Sequence, residues 1–119
     1  MRKAMILAGL LGLALALSPI AVLAAESVQV TGELIDTYCY SLMGAKGESH
    51  RQCAIDCVKA GIPAGILEES TNKVYVLLPN KDKSPLPKTV AEKMGRKATV
   101  TGKVYAVGGS QFLTVEAIK

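Results

Sequence analysis

The chain has 119 residues, a net charge of +4, no tryptophan and a single phenylalanine. So short a chain builds one core, and Val, Ile, Leu, Ala and Tyr have to fill it. The mild positive charge gives no reason to expect nucleic acid as a partner, and three cysteines cannot all pair within one chain.

Arg2 and Lys3 precede an apolar run from Ala4 to Leu17 that only glycine interrupts; Ser18-Pro19 and the small-residue end of Val22-Leu23-Ala24 follow. This is the charged start, apolar middle and cleavage pattern of a secretory signal peptide. Cleavage is expected after Ala24, with Ala25 as the next choice. The run is shorter than the ~20 apolar residues of a spanning helix, which disfavours an uncleaved anchor. No cysteine stands at the cleavage point, which argues against a lipoprotein. Residues 1–24 are thus expected to be a leader and residues 25–119 a single domain, periplasmic or secreted. Loss of Arg2 and Lys3 lowers the charge from +4 to +2. The membrane is then met only through the leader, and the natural partner class is another periplasmic protein. Such compartments oxidise exposed thiol pairs, which makes the odd cysteine count the central question.

From Ser27 to Thr37, Val28, Val30 and Leu34 alternate with polar residues, which predicts a half-buried strand with a bulge or bend at glycine. Tyr38-Cys39-Tyr40 continues it. Gly44 to Ser49 reads as a polar loop. Ser49 has the chemistry of a helix N-cap, and the helix is expected from His50 to about Ala60, stopped by Gly61. Ala64–Glu69 and Val74–Leu78 form a hairpin around Ser70–Lys73. After a proline loop, Thr89 to Met94 predicts one or two helical turns ended by Gly95. Lys97–Val107 and Phe112–Ile118 are strands joined by the turn Gly108-Gly109-Ser110.

This order predicts a mainly β fold: a small, OB-fold-like five-stranded barrel, with a Cys/His helix inserted after strand 1 and a short helix before strand 4. The second choice is a small α+β sheet with the cysteine helix packed across one face.

All three cysteines and the one histidine fall between Cys39 and Cys57. His50, Cys53 and Cys57, three and then four residues apart, share one face of a helix. Cys39 at the strand end completes a Cys3His set, which suits structural zinc or copper(I). Met43 is a possible extra thioether ligand, and Asp36 or Asp56 a possible carboxylate partner for the imidazole. Cys39 paired with Cys53 or Cys57 in a disulfide, leaving one spare thiol, accounts for the same residues and would be worth roughly 3 kcal/mol. A redox-active thiol is the third option, favoured by the place of Cys53 in the first helical turn. No C-x-x-C-H haem motif is present, and nothing in so small a domain suggests the substrate cleft that a Cys-His nucleophile needs. The lysines and arginine from Lys81 to Lys97 read as a solvated face.

The segments G-E-L-I-D-T-Y-C, H-R-Q-C-A-I-D-C-V-K-A-G-I-P-A-G, K-V-Y-V-L-L and A-T-V-T-G-K-V resemble those of a group of small exported bacterial proteins of unknown function. That group shares a D-x-x-C…H-x-x-C-x-x-x-C pattern and an OB-like β-barrel. The resemblance spans nearly all of residues 25–119, and Cys39, His50, Cys53 and Cys57 occupy its pattern positions. It implies a shared site around them but names no reaction and no metal. The resulting expectation is a non-enzymatic metal-binding protein, for copper(I) or zinc, that uses the cluster for structure, sequestration or delivery. The alternatives are a disulfide-stapled periplasmic binding module and a thiol-redox protein.

Overall fold

A computed structural model describes residues 26–119; the expected leader and its cleavage point at Ala24 lie outside the described residues. In chain order the elements are β1 (Val28–Asp36), α1 (Thr37–Met43), a 3-10 turn (Glu48–His50), α2 (Arg51–Lys59), β2 (Ala64–Glu68), β3 (Val74–Pro79), α3 (Lys88–Glu92), β4 (Lys97–Gly102), β5 (Val104–Val107), β6 (Ser110–Val115) and β7 (Ala117–Ile118). The strands make one seven-stranded sheet in the order β5-β6-β3-β2-β1-β4-β7. It is mixed: β3 and β6 run parallel, and the other neighbours are antiparallel.

The mainly β architecture matches the expectation; the sheet has seven strands rather than five and does not close into a barrel. The sheet is open in its hydrogen-bonded order, which ends at β5 and β7. The expected strands 97–107 and 112–118 are each broken once, at Lys103 and at Glu116. Gly102 and Thr114 explain the first break. A Cβ on Gly102 would lie 1.6 Å from the Thr114 carbonyl oxygen, so only glycine lets the two chains approach this closely. Beside it, the Lys103 N–H donates to Thr114 Oγ1 at 2.9 Å rather than to a strand carbonyl.

β1 is the hinge of the sheet. Its first part pairs with β4, from Val28 opposite Gly102 to Glu33 opposite Lys97. Its second part pairs with β2, from Gly32 opposite Glu68 to Asp36 opposite Ala64. Gly32 therefore has neighbours on both sides, and a Cβ there would lie 1.9 Å from the Leu67 carbonyl oxygen. The expected bend at this glycine is thus a close backbone crossing.

The core follows the strand period of two. Val30 and Leu34 of β1, Ala64 and Ile66 of β2, Tyr75 and Leu77 of β3, Ala98 and Val100 of β4, and Leu113 and Val115 of β6 all point inward. Val90 and Met94 cover one end of this core, and Ala54 of α2 joins the same cluster. Ile55 and Val58 pack beside Ala54, so α2 has an apolar stripe that fixes its rotation. Arg51 adds a polar clamp, its Nη1 donating to the Met94 carbonyl at 2.7 Å.

Two helix boundaries differ from the sequence expectation. α2 starts at Arg51 behind the 3-10 turn, and Ser49 lies within that turn without capping it. α3 begins at Lys88 and its helical run ends at Glu92, before Met94.

Replacement of Gly102 by alanine is expected to destabilise the protein by about 3 kcal/mol or more, because the clash is with backbone and cannot be relieved by a side-chain rotation. Gly108→Ala meets nothing within 4 Å and carries only a positive φ of 59°, so its loss should be about 1–2 kcal/mol. Urea unfolding of the two variants checks this order.

Candidate metal centre

The site is built around the end of β1. Asp36 is fully buried, and its backbone is still extended, at φ −82° and ψ 135°. Its Oδ1 accepts the Cys39 backbone N–H at 2.7 Å, the geometry of a helix N-cap. The chain therefore turns directly from strand into α1. Gly44, left-handed at φ 66°, ends that helix, and its N–H donates back to the Tyr40 carbonyl at 2.8 Å.

α1 corrects the expectation of a strand end at residues 38–40. Cys39 sits in the first turn of a helix, where it is buried, while Tyr38 is exposed and Tyr40 partly covered. The signal was present as Asp36 before the helix and Gly44 after it. The alternation leading up to Asp36 and the strand preference of tyrosine outweighed it.

The other half of the site comes from α2. His50 precedes its first residue, and His50 Nε2 lies 2.9 Å from Asp36 Oδ2. Both oxygens of one buried carboxylate are thus engaged, one by α1 and one by the imidazole. Asp56, the other aspartate considered for the ring, instead accepts a hydrogen bond from Gln52 Nε2 at 3.0 Å on the exposed side of α2. Met43, the possible thioether ligand, is 67% exposed at the end of α1.

The ligand atoms of Cys39, His50 and Cys53 all lie within 4.8 Å of one another, and so do those of Asp36, Cys39 and Cys57. Cys39 belongs to both groups and so stands at the centre of the cluster. It is buried, Cys57 is partly covered and Cys53 is exposed, which gives the cluster one open edge. All three thiols are free, so the Cys39 disulfide with Cys53 or Cys57 is not formed. The edges of a tetrahedral zinc–thiolate site are about 3.8 Å, from bonds of ~2.3 Å. The group is close enough to hold a metal ion.

The local charge acts in the same direction. Burial, then the Asp36 carboxylate, then the neighbouring thiols push the Cys39 thiol up to about 12. Burial and Asp36 also raise Cys57. Burial alone would raise Asp36 as well, but the Cys39 N–H and the His50 ring outweigh it and hold the carboxyl below its usual 3.8. A buried carboxylate beside close-set thiols resists further negative charge, and a bound cation reverses that resistance.

Other features stand apart from this cluster. A groove of about 350 Å³ between α2 and α3, lined by Val58, Ile62, Pro63, Leu86 and Val90 among others, holds none of the thiols. Of the basic segment, Arg96 pairs with Glu48 at 3.1 Å and Lys97 with Glu69 at 3.0 Å, while Lys81, Lys83 and Lys88 are exposed. Among the described residues, no helix is long and apolar enough to cross a membrane. No family model matches this chain, and neither the curated proteins nor the solved structures give a match.

Asp36→Ala removes a cap and leaves a half-buried imidazole unpaired, so a loss of about 2–4 kcal/mol is expected in urea unfolding at pH 7. The contribution of a carboxyl held below its ordinary value is complete above that value and disappears as pH falls through the folded one. The gap between wild type and Asp36→Ala should therefore narrow below about pH 4.

Proposed function

We propose that this chain is an exported metal-binding protein that holds one copper(I) or zinc ion through Cys39, Cys53, Cys57 and His50. The observation that carries this reading is the position of the Cys39 sulfur, shared between two groups of close ligand atoms. Three thiols and an imidazole are the donors that these ions prefer. Asp36 supplies the carboxylate that commonly orients a ligating histidine. The pattern of residues 1–24 supports export, and the spacing of Cys39, His50, Cys53 and Cys57 supports kinship with the small exported proteins that the chain resembles.

The open edge favours sequestration or delivery over a purely structural role. Structural zinc sites are closed, whereas here Cys53 is exposed. An exported acceptor protein offering a thiolate or thioether would approach at that residue. The scaffold is read as OB-like. Supporting this are the β1-β2-β3 meander, the parallel pairing of β3 with β6 and the pairing of β1 with β4. The sheet ends, β5 and β7, also continue β4 and β6 across single-residue breaks.

Anaerobic titration of the reduced chain with copper(I) or zinc against a competing chelator tests the function. One ion per chain is expected, with all three thiols shielded from alkylation while it is bound. Cys39→Ala should weaken binding most, by more than about 100-fold, and Asp36→Asn by about 10–100-fold through the imidazole. A reduced chain that binds neither ion would sink the reading.

A further inference from the structure

The access of the three thiols bears on more than metal binding. They differ sharply: Cys53 is exposed, Cys57 partly covered and Cys39 buried. The sulfurs of Cys53 and Cys57 each lie within 4.8 Å of the Cys39 sulfur. A disulfide needs sulfurs at about 2.05 Å, so the side chains, or the short elements that carry them, must move to form one. One thiol is thus open to another molecule, and a buried thiol lies close behind it.

We propose that the metal-free protein carries out thiol–disulfide exchange, with Cys53 as the entry thiol and Cys39 as the resolving thiol. The co-reactant is a low-molecular-weight or protein disulfide, RSSR. Cys53 attacks one of its sulfurs. A Cys53–S–S–R bond forms, the R–S–S–R bond breaks, and the first RSH leaves with a proton. Cys39 then attacks the Cys53 sulfur. The Cys39–Cys53 bond forms, the bond to R breaks, and the second RSH leaves with a proton. Two protein thiols are oxidised and one disulfide is reduced to two thiols.

The difference in access favours this order. RSSR cannot reach buried Cys39 first. Cys57 lies four residues after Cys53 on α2, so joining those two would pull against a regular helix. Cys39 arrives instead from α1, at whose C-terminus Gly44 closes a short, separate element. The new bond ties α1 to α2 and consumes two of the proposed metal ligands, so the oxidised and metal-loaded states exclude each other. The exchange itself requires only the thiol geometry and does not depend on the metal reading.

The test uses the reduced, metal-free chain, mixed under argon with excess oxidised glutathione, quenched with iodoacetamide and mapped by peptide mass spectrometry. The alkylatable thiols should fall from the three present to one, at Cys57, with Cys39 linked to Cys53. Cys39→Ser should stop at a glutathione adduct on Cys53. Cys57→Ser should still give the Cys39–Cys53 bond, which shows that the fold and the reaction survive loss of a thiol. A Cys53–Cys57 bond, first adduct formation on Cys57, or three surviving thiols would overturn the proposal. Metal binding is measured separately on the reduced chain. A chain that binds an ion but forms no Cys39–Cys53 bond loses the exchange reading and keeps the metal one. A chain that forms the bond but binds neither ion keeps the exchange reading and loses the metal one.

Discussion

One buried carboxylate organises this protein's site. Asp36 has no contact with solvent, yet it ends a strand, caps a helix through Cys39 and holds the ring of His50. A charge at that depth is tolerated only when its oxygens are bonded, and each of them is. The backbone turn that places Cys39 and the contact that places His50 therefore depend on the same side chain. Two elements 14 residues apart are brought together by one group.

The rest of the fold holds that carboxylate in position. β1 is gripped by β4 along its first part and by β2 along its second, so its last residue has little freedom. α2 is oriented by Ala54, Ile55 and Val58 against the core and by Arg51 on the Met94 carbonyl. Thr37 ties the start of α1 to the Pro63 carbonyl, by its N–H at 3.1 Å and its hydroxyl at 2.8 Å. The apolar face of α2 thus leaves the His50–Cys53–Cys57 stripe turned toward Cys39. The side of the cluster at Cys53 is left exposed.

Much of this was legible along the chain. The hairpin of β2 and β3, the glycine turn at residues 108–109 and the cysteine helix all carry local signals that nothing in the tertiary structure overrides. The helical spacing of His50, Cys53 and Cys57 was readable for the same reason: a stripe is a property of the helix itself. The short helix α1 was also marked at both ends, but seven residues carry too little periodicity to compete with nine residues of strand pattern before them. The strand breaks at Lys103 and Glu116 had no such mark. The first arises where one backbone passes over another, at Gly102 and Thr114, and a contact between distant residues leaves no periodic trace.

The sequence by itself determined the donor set, the helical stripe that presents most of it and the mainly β class, because residue identity and periodicity are local quantities. Only the tertiary structure decided that Cys39 is the buried centre, that Asp36 rather than Asp56 holds the imidazole, and that Cys53 forms the open edge. Burial and through-space distance are set by how β1, α1 and α2 pack. No spacing along the chain encodes which of two similar aspartates the packing will enclose.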